Sequence, residues 1–504
     1  MSQNILKKLS SLFPEGYIVG GILRDYFLKR YSCDIDIILP DVNPRNMKQI
    51  AKVLDATFFV LDEDTKVYRF ITKKEKIQID ISAFVGKDLR EDLLSRDFTI
   101  NALAYPLAHS SELTLKIKTS KNENKTLLAL KGIKKKNLID LAGSLKDIKD
   151  GKINITCEES FKEDPLRMLR TFRFAAQFDF KTTKNTLEQV KKHSDSINSV
   201  SGERIQDEIL KILSYGNSRK YMEDADKYGL LTKLIPQLES ARKCAVVYYG
   251  KGGVLKHTFN VLEKIEYLLD NLKLFFPKFH KHLAEWKDKK NILKLTVLLH
   301  DVAKPKTAKM MGGRLRFFYH EGLGSKMSGE ILKNWRFSRN NIRIITSVIK
   351  EHLRIGNLAS NPLITNRAVY RFFRDTEGFS IPLLLICWAD YASYISKDSL
   401  LNILPQSHRK PFPITAGGLE REGIKKTLRH IQVINLMLRL FFCQQPKIMP
   451  KKLINGNDVM ELLEMKSSPK IGEILEKLRI AQVEKKVRTR SDALKFVSGF
   501  KNKA

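Results

Sequence analysis

The sequence predicts an α+β fold, a mixed N-terminal domain followed by helices to the C-terminus. Short β-type runs, GYIVG, CDIDIILP, TFFVLD, VYRFIT and IQIDISAF, crowd the stretch up to about residue 150 and mix with helical segments such as ILRDYFLKR. From Asp164 onward the β signal fades. There PLRMLRTFRFAAQF, RIQDEILKIL, HTFNVLEKIEYLLD and LKLTVLLHDVAK carry apolar residues three and four apart, the spacing of one helix face. A chain of 504 residues exceeds one core. Four domains are expected, over residues 1–150, 151–245, 246–405 and 406–504, with junctions near Gly250 to Gly253 and in the run Pro405 to Gly418. The polar stretch from His109 to Lys136 reads as a surface insertion.

No apolar run is long enough to cross a membrane, and the N-terminus lacks the h-region of a signal peptide, so the cytoplasm is the expected compartment. The five cysteines, at 33, 157, 244, 387 and 443, have no CxxC spacing and are expected as buried thiols under reducing conditions. A formal charge of +34 attracts a polyanion, with nucleic acid the first candidate. Much of that excess is lysine spread through every segment, so charge ranks partners without choosing one.

In CDIDIILP, Asp34 and Asp36 stand two apart in a β-type run and leave the same face of the strand. Two carboxylates on one patch repel unless a cation lies between them, and divalent ions that activate a hydroxyl and steady a leaving phosphate are the usual remedy. Asp80, on another expected strand, is the third carboxylate. A solvated strand edge bearing acids is the bland alternative for a DxD taken alone. Upstream, a strand runs into Gly20-Gly21 and then a helix, a turn at which phosphate can approach backbone N–H groups.

Val19 to Asp25 (VGGILRD) with Asp34-Ile35-Asp36 resembles the core of the bacterial tRNA nucleotidyltransferase (CCA-adding enzyme) and poly(A) polymerase family. The resemblance continues through Arg96 to Ala102 (RDFTINA), Glu163 to Arg167 (EDPLR), and Glu203-Arg204-Ile205 with Glu208. It implies a polymerase β-like palm, an all-α neck, Mg²⁺ on Asp34 and Asp36, and untemplated nucleotide addition to an RNA 3′ end. The nucleotide-binding residues it implies are Gly20, Gly21, Arg24, Arg96, Asp97, Asn101, Asp164, Arg167, Arg170 and Arg204. Base choice falls to Asp164 and Arg167. A carboxylate accepts from the exocyclic amine of C or A and a guanidinium donates to the neighbouring acceptor, whereas U and G leave both unpaired. Helix capping by Asp164 ahead of Pro165, and a basic face of Arg167, Arg170 and Arg173, are the structural alternatives. Arg204 and Glu208, four apart, are expected on one helix side as a brace or a surface pair.

Two departures stand out. The segment from Asp80 to Arg96 is short, as in members that add only CC or only A, and Ser95 stands where a second arginine is common.

Farther on, LLHDVAKP, FYHEGLGSK, EHLR and CWADYAS resemble the motifs of an HD-domain phosphohydrolase. That resemblance implies a metal held by His257, His300, Asp301 and Asp390, with His320 and His352 supporting a second ion; a helical scaffold without turnover is the alternative. The segment from LINGNDVMELL to the end resembles the family's tail, and its Lys and Arg density suits phosphate contacts. The implied partners are tRNA with ATP, CTP or both, without membrane or DNA. The competing functions are a poly(A) polymerase, an HD phosphohydrolase acting on RNA ends or nucleotides, and a non-catalytic RNA-binding protein.

Overall fold

The five β-type runs are strands of one sheet: β1 (Tyr17–Val19), β2 (Asp34–Leu39), β3 (Ala56–Asp62), β4 (Val67–Thr72) and β5 (Gln78–Ala83). Period-two alternation buries Ile35 and Ile37 of β2, Tyr68 and Phe70 of β4, and Ile79 and Ile81 of β5, and turns the aspartates of β2 and β5 away from that core. β6 (Leu103–Pro106), a hairpin of β7 (Thr114–Ser120) and β8 (Lys125–Lys131), and β9 (Ile139–Asp140) complete the strands of this region. The sheet runs β3-β4-β5-β2-β1-β6-β9, so β2 lies between β1 and β5, parallel to β5 and antiparallel to β1.

This computed structural model describes residues 3–62, 66–120, 125–414 and 423–501. The chain divides into two compact units, Met1–Ser201 with Asp224–Leu234, and Gly202–Glu223 with Ile235–Ala504. The first holds the sheet, a short parallel pair of β10 (Lys152–Ile153) and β11 (Lys181–Thr182), and the helix Arg167–Phe178.

The stretch read as a polar surface insertion is different. β7 and β8 bury Leu115, Leu128 and Leu130, and Leu128 forms a β-bridge with Ser32. Its lysines sit at alternate positions and hide the apolar half of a strand pattern, so composition misleads where alternation does not.

The second unit is helical, as the spacing predicts, except for β12 (Ala308–Met311) and β13 (Arg314–Phe317). This antiparallel hairpin turns through Gly312 and Gly313, whose φ values of +55° and +70° suit a tight two-residue connection. The tail helices Gly456–Leu463, Pro469–Val483 and Arg490–Ser498 share a core of Val459, Leu478, Ala493 and Val497. The junction expected from Pro405 begins inside the helix Lys397–Ser407, and its last residues, from 415, lie outside the described residues.

The cysteines depart from expectation. All five are free, but only Cys387 is buried; Cys33 and Cys443 are exposed because they stand at the ends of elements, before β2 and at the close of the helix Ile424–Cys443. Among the described residues no helix is long and apolar enough to cross a membrane.

Candidate functional site

The β2–β5 register sets Asp36 opposite Asp80 and Asp34 opposite Gln78. Each of Asp34, Asp36 and Asp80 offers an oxygen within 4.8 Å of the others. Burial, then the charge of Asp34, pushes the Asp36 carboxyl up to about 7, and burial with Asp80 raises Asp34. Clustered carboxylates that resist ionising together fit a divalent cation, which removes the repulsion. Asp80 is also clamped from β4, where Arg69 donates through Nε to Oδ1 at 2.8 Å and through Nη2 to Oδ2 at 2.7 Å. Arg69 was not singled out from the sequence; its place on the acid-bearing face, opposite the buried Tyr68 and Phe70, is the signal that could have found it.

Gly20 closes the site on the β1 side. Its φ is +71°, and a Cβ there would meet Asp36 Oδ2 and Arg96 Nη1 at 3.2 Å, so both the conformation and the close approach require glycine. Arg96 is held by Asp92, with Nη2 3.0 Å from Oδ2.

A cleft of about 430 Å³ opens from these residues. Gly20, Gly21, Arg24, Asp34, Asp36, Arg96, Asp97, Asn101, Asp164, Arg167 and Arg170 all line it, together with Arg173, Phe174 and Gln177, the last two unexpected from the sequence. A buried network orders its floor. Arg24 donates to Asp25 at 2.9 Å and to Asn101 Oδ1 at 2.6 Å, and its guanidinium lies over Phe178. Asn101 Nδ2 donates to Asp97 Oδ1 at 2.9 Å, while Arg170 Nε and Nη2 reach Asp97 Oδ2 at 2.8 and 2.6 Å. Burial opposes ionisation of Asp97, yet Arg170 and Asn101 hold its carboxyl below the usual range.

Asp164 has an extended backbone, and its Oδ1 accepts the Leu166 N–H at 3.2 Å just before the helix that begins at Arg167. Arg167 Nη1 donates to Ser160 Oγ at 3.1 Å and to Glu163 at 3.0 Å. Capping and lining the cleft thus coexist at Asp164. Arg204 is exposed and Glu208 buried on the helix Gly202–Ser214, which belongs to the other unit.

In that second unit the six remaining residues form two triads, His257, His300 and Asp390, and Asp301, His320 and His352. Asp301 joins them. Its Oδ2 lies 3.2 Å from His300 Nε2 and 3.5 Å from His257 Nε2, while Oδ1 lies 3.6 Å from His320 Nε2 and 3.8 Å from His352 Nε2. His300, His320 and His352 each place Nδ1 within 2.7 Å of a backbone carbonyl, of Val297, Phe317 and Ile349. A carbonyl only accepts, so Nδ1 carries a proton in each, and Nε2 is the nitrogen turned toward the acids. His257 Nε2, His300 Nε2, Asp390 Oδ1 and both Asp301 oxygens are buried without being aligned for hydrogen bonds with one another, an arrangement divalent cations would satisfy. Burial lowers His352 to about 4, keeping its imidazole neutral. Burial opposes ionisation of Asp301, but His300 and Lys304 hold it well below the usual range. Lys304, not singled out from the sequence, places Nζ 2.6 Å from Asp301 Oδ2 and 2.9 Å from the Tyr249 hydroxyl, and Tyr249 stacks on His257.

Comparison with known proteins matches four family models in chain order. They are a poly A polymerase head domain over residues 16–154, a "Probable RNA and SrmB- binding site of polymerase A" over 179–242, an HD domain over 254–395, and tRNA nucleotidyltransferase domain 2 over 443–497. The chain is 23% identical to the CC-adding tRNA nucleotidyltransferase of Geobacter sulfurreducens, over 96% of this chain and 91% of that protein. It is 24% identical to the A-adding tRNA nucleotidyltransferase of Deinococcus radiodurans, over 96% and 95%. A solved CCA-adding enzyme in complex with ATP shares the fold at a TM-score of 0.60 and 19% identity, over 99% of this chain and 93% of that one.

Proposed function

The chain belongs to the tRNA nucleotidyltransferase and poly(A) polymerase family and carries an HD domain, and on that premise we propose that it adds CTP- or ATP-derived nucleotides to the tRNA 3′ end without a template. The observation that carries this reading is one cleft lined both by Asp34 and Asp36 and by Asp164 and Arg167, so reacting groups and base-reading groups face the same ligand. Asp34 and Asp36 would hold Mg²⁺, which when bound supplies charge neutralisation at the transferring phosphate. Asp80, oriented by Arg69, assists deprotonation of the RNA 3′ hydroxyl. Gly20 and Gly21 let the triphosphate approach the backbone, and Arg24 and Arg96 offset its charge. Asp97, Asn101 and Arg170 hold the pocket floor, and Asp164 and Arg167 read the base.

We assign residues 1–150 to the palm, 151–245 to the neck, 246–405 to the HD domain and 406–504 to an RNA-binding tail, with the cytoplasm as the compartment. The product is inferred from the short connection between Asp80 and Arg96. There β5 passes after five residues into the helix Leu89–Ser95, with Asp88 capping it. So compact a segment supports addition of CC alone or A alone. Three tRNAs, ending before CCA, after C and after CC, each offered one labelled nucleotide, test this. Incorporation of C but never A, or the reverse, is expected; complete CCA on one protein overturns the restriction, and an unbounded A ladder assigns poly(A) polymerase instead.

A second activity has its own observation, the two triads joined by Asp301. They support a divalent-metal phosphohydrolase. His300→Ala should abolish phosphate-ester hydrolysis and leave nucleotide addition in place.

A further inference from the structure

Beside the HD centre lies a cleft of about 420 Å³ to which neither proposed activity assigns a ligand, lined by Tyr248, Tyr249, Arg314, Arg316, Phe318, His320 and neighbouring residues. One wall is the β12–β13 hairpin. Alternation along β13 turns Leu315 and Phe317 inward and leaves Arg314 and Arg316 exposed. The other wall holds Tyr248, whose hydroxyl donates to the Leu315 carbonyl at 3.0 Å and fixes the ring against the hairpin. Phe318 and Tyr319 are 54% and 81% exposed. Tyr319 holds a left-handed backbone, with φ of +62°, at the N-cap of the helix that carries His320. β13 is thus held at Leu315 by Tyr248 and runs directly into the helix that carries His320.

Charge selects the occupant. Arg314, Arg316 and Lys426 line the cleft, Lys304 lies behind Tyr249, and no acid is among the described lining residues. Arg314 and Arg316 have no carboxylate partner among the described residues. Exposed rings interleaved with guanidinium groups match an unpaired nucleotide, whose base stacks on an aromatic face and whose phosphate takes the arginines. A protein partner of comparable fit would need acids spaced for both arginines, and nothing else in the cleft calls for them.

We propose that the cleft between Tyr248 and the β12–β13 hairpin is a subsite for an unpaired nucleotide, with its base against Tyr248 and Phe318 and its phosphate on Arg314 and Arg316. Binding is independent of the HD reading, and only hydrolysis of the bound ester rests on it. The subsite presents a phosphate ester to the two triads through His320, which lines the cleft and belongs to one of them.

The three native tryptophans, at 286, 335 and 388, are at most 8% exposed, so Phe318→Trp in the full chain installs an exposed reporter. Titration with a short single-stranded oligoribonucleotide should quench its emission. On that background Arg314→Glu with Arg316→Glu should weaken binding at least about tenfold, the corresponding lysine pair should restore most of it, and Tyr248→Ala should cost about fivefold or more. A mononucleotide arm separates a single-nucleotide subsite from one that needs a strand, and quenching by either supports it. No quenching, equal quenching by blunt duplex RNA, an unchanged affinity in the glutamate pair, or an emission that follows protein concentration alone would each overturn the proposal. His300→Ala keeps the quench. If the native chain hydrolyses no phosphate ester while the quench persists, the hydrolase reading falls and the subsite stands.

Discussion

Asp36 and Asp80 are register partners across the parallel β2–β5 ladder, so the site's third acid is placed by strand pairing rather than by sequence distance. Asp34 lies on the same face, and Arg69, the register partner of Asp80 on the other side, closes the row. Four charged side chains from three adjacent strands therefore form one electrostatic unit.

Asp36→Ala removes the acid that burial and Asp34 push up to about 7. Nucleotide incorporation should fall by about 10²–10³-fold or more, while tRNA affinity in a filter-binding assay stays within about threefold. Full activity in the variant would refute the assignment of the palm.

Arg69→Met keeps the volume of the side chain and removes both hydrogen bonds to Asp80. The rate constant for addition should drop by about tenfold with KM for the nucleotide little changed, because the guanidinium orients an acid and touches no base. Arg69→Lys, a point charge without the planar fork, should recover only part of the rate.

Asp164→Ala takes away the proposed acceptor for an exocyclic amine and also the cap on Leu166 N–H. Discrimination against UTP and GTP should shrink by about tenfold or more, read as the ratio of kcat/KM values. The lost cap costs about 1 kcal/mol of stability, which a denaturation curve measures separately. Unaltered selectivity with reduced stability would leave Asp164 a cap alone.

His430 is buried and stacked on Tyr391 at 3.6 Å between ring centroids, and burial lowers its imidazole to about 4. The folded value lies below the unfolded one of about 6.5, so the unfolded chain binds more protons between those limits. Its contribution is complete above about pH 6.5 and is lost as pH falls toward 4, on the order of 3 kcal/mol. His430→Gln should flatten that part of the pH dependence in denaturant unfolding followed through the buried Trp388. An equally steep acid loss in the variant would place the effect elsewhere.

Much of this molecule is determined locally. The strand runs, the same-face pair Asp34 and Asp36 and the helical spacing after Asp164 all lie within short windows, where a period of two or 3.6 is written directly into residue order. Tertiary structure decided what depends on which distant segment lies alongside. Arg69 meets Asp80 because β4 pairs with β5, and the two oxygens of Asp301 address different triads because separate helices converge on it. The β12–β13 hairpin turns through two positive-φ glycines in a half of the chain read as almost wholly helical. Local periodicity encodes which face a residue takes. Pairing and burial, which depend on the whole packed chain, decide what that face meets.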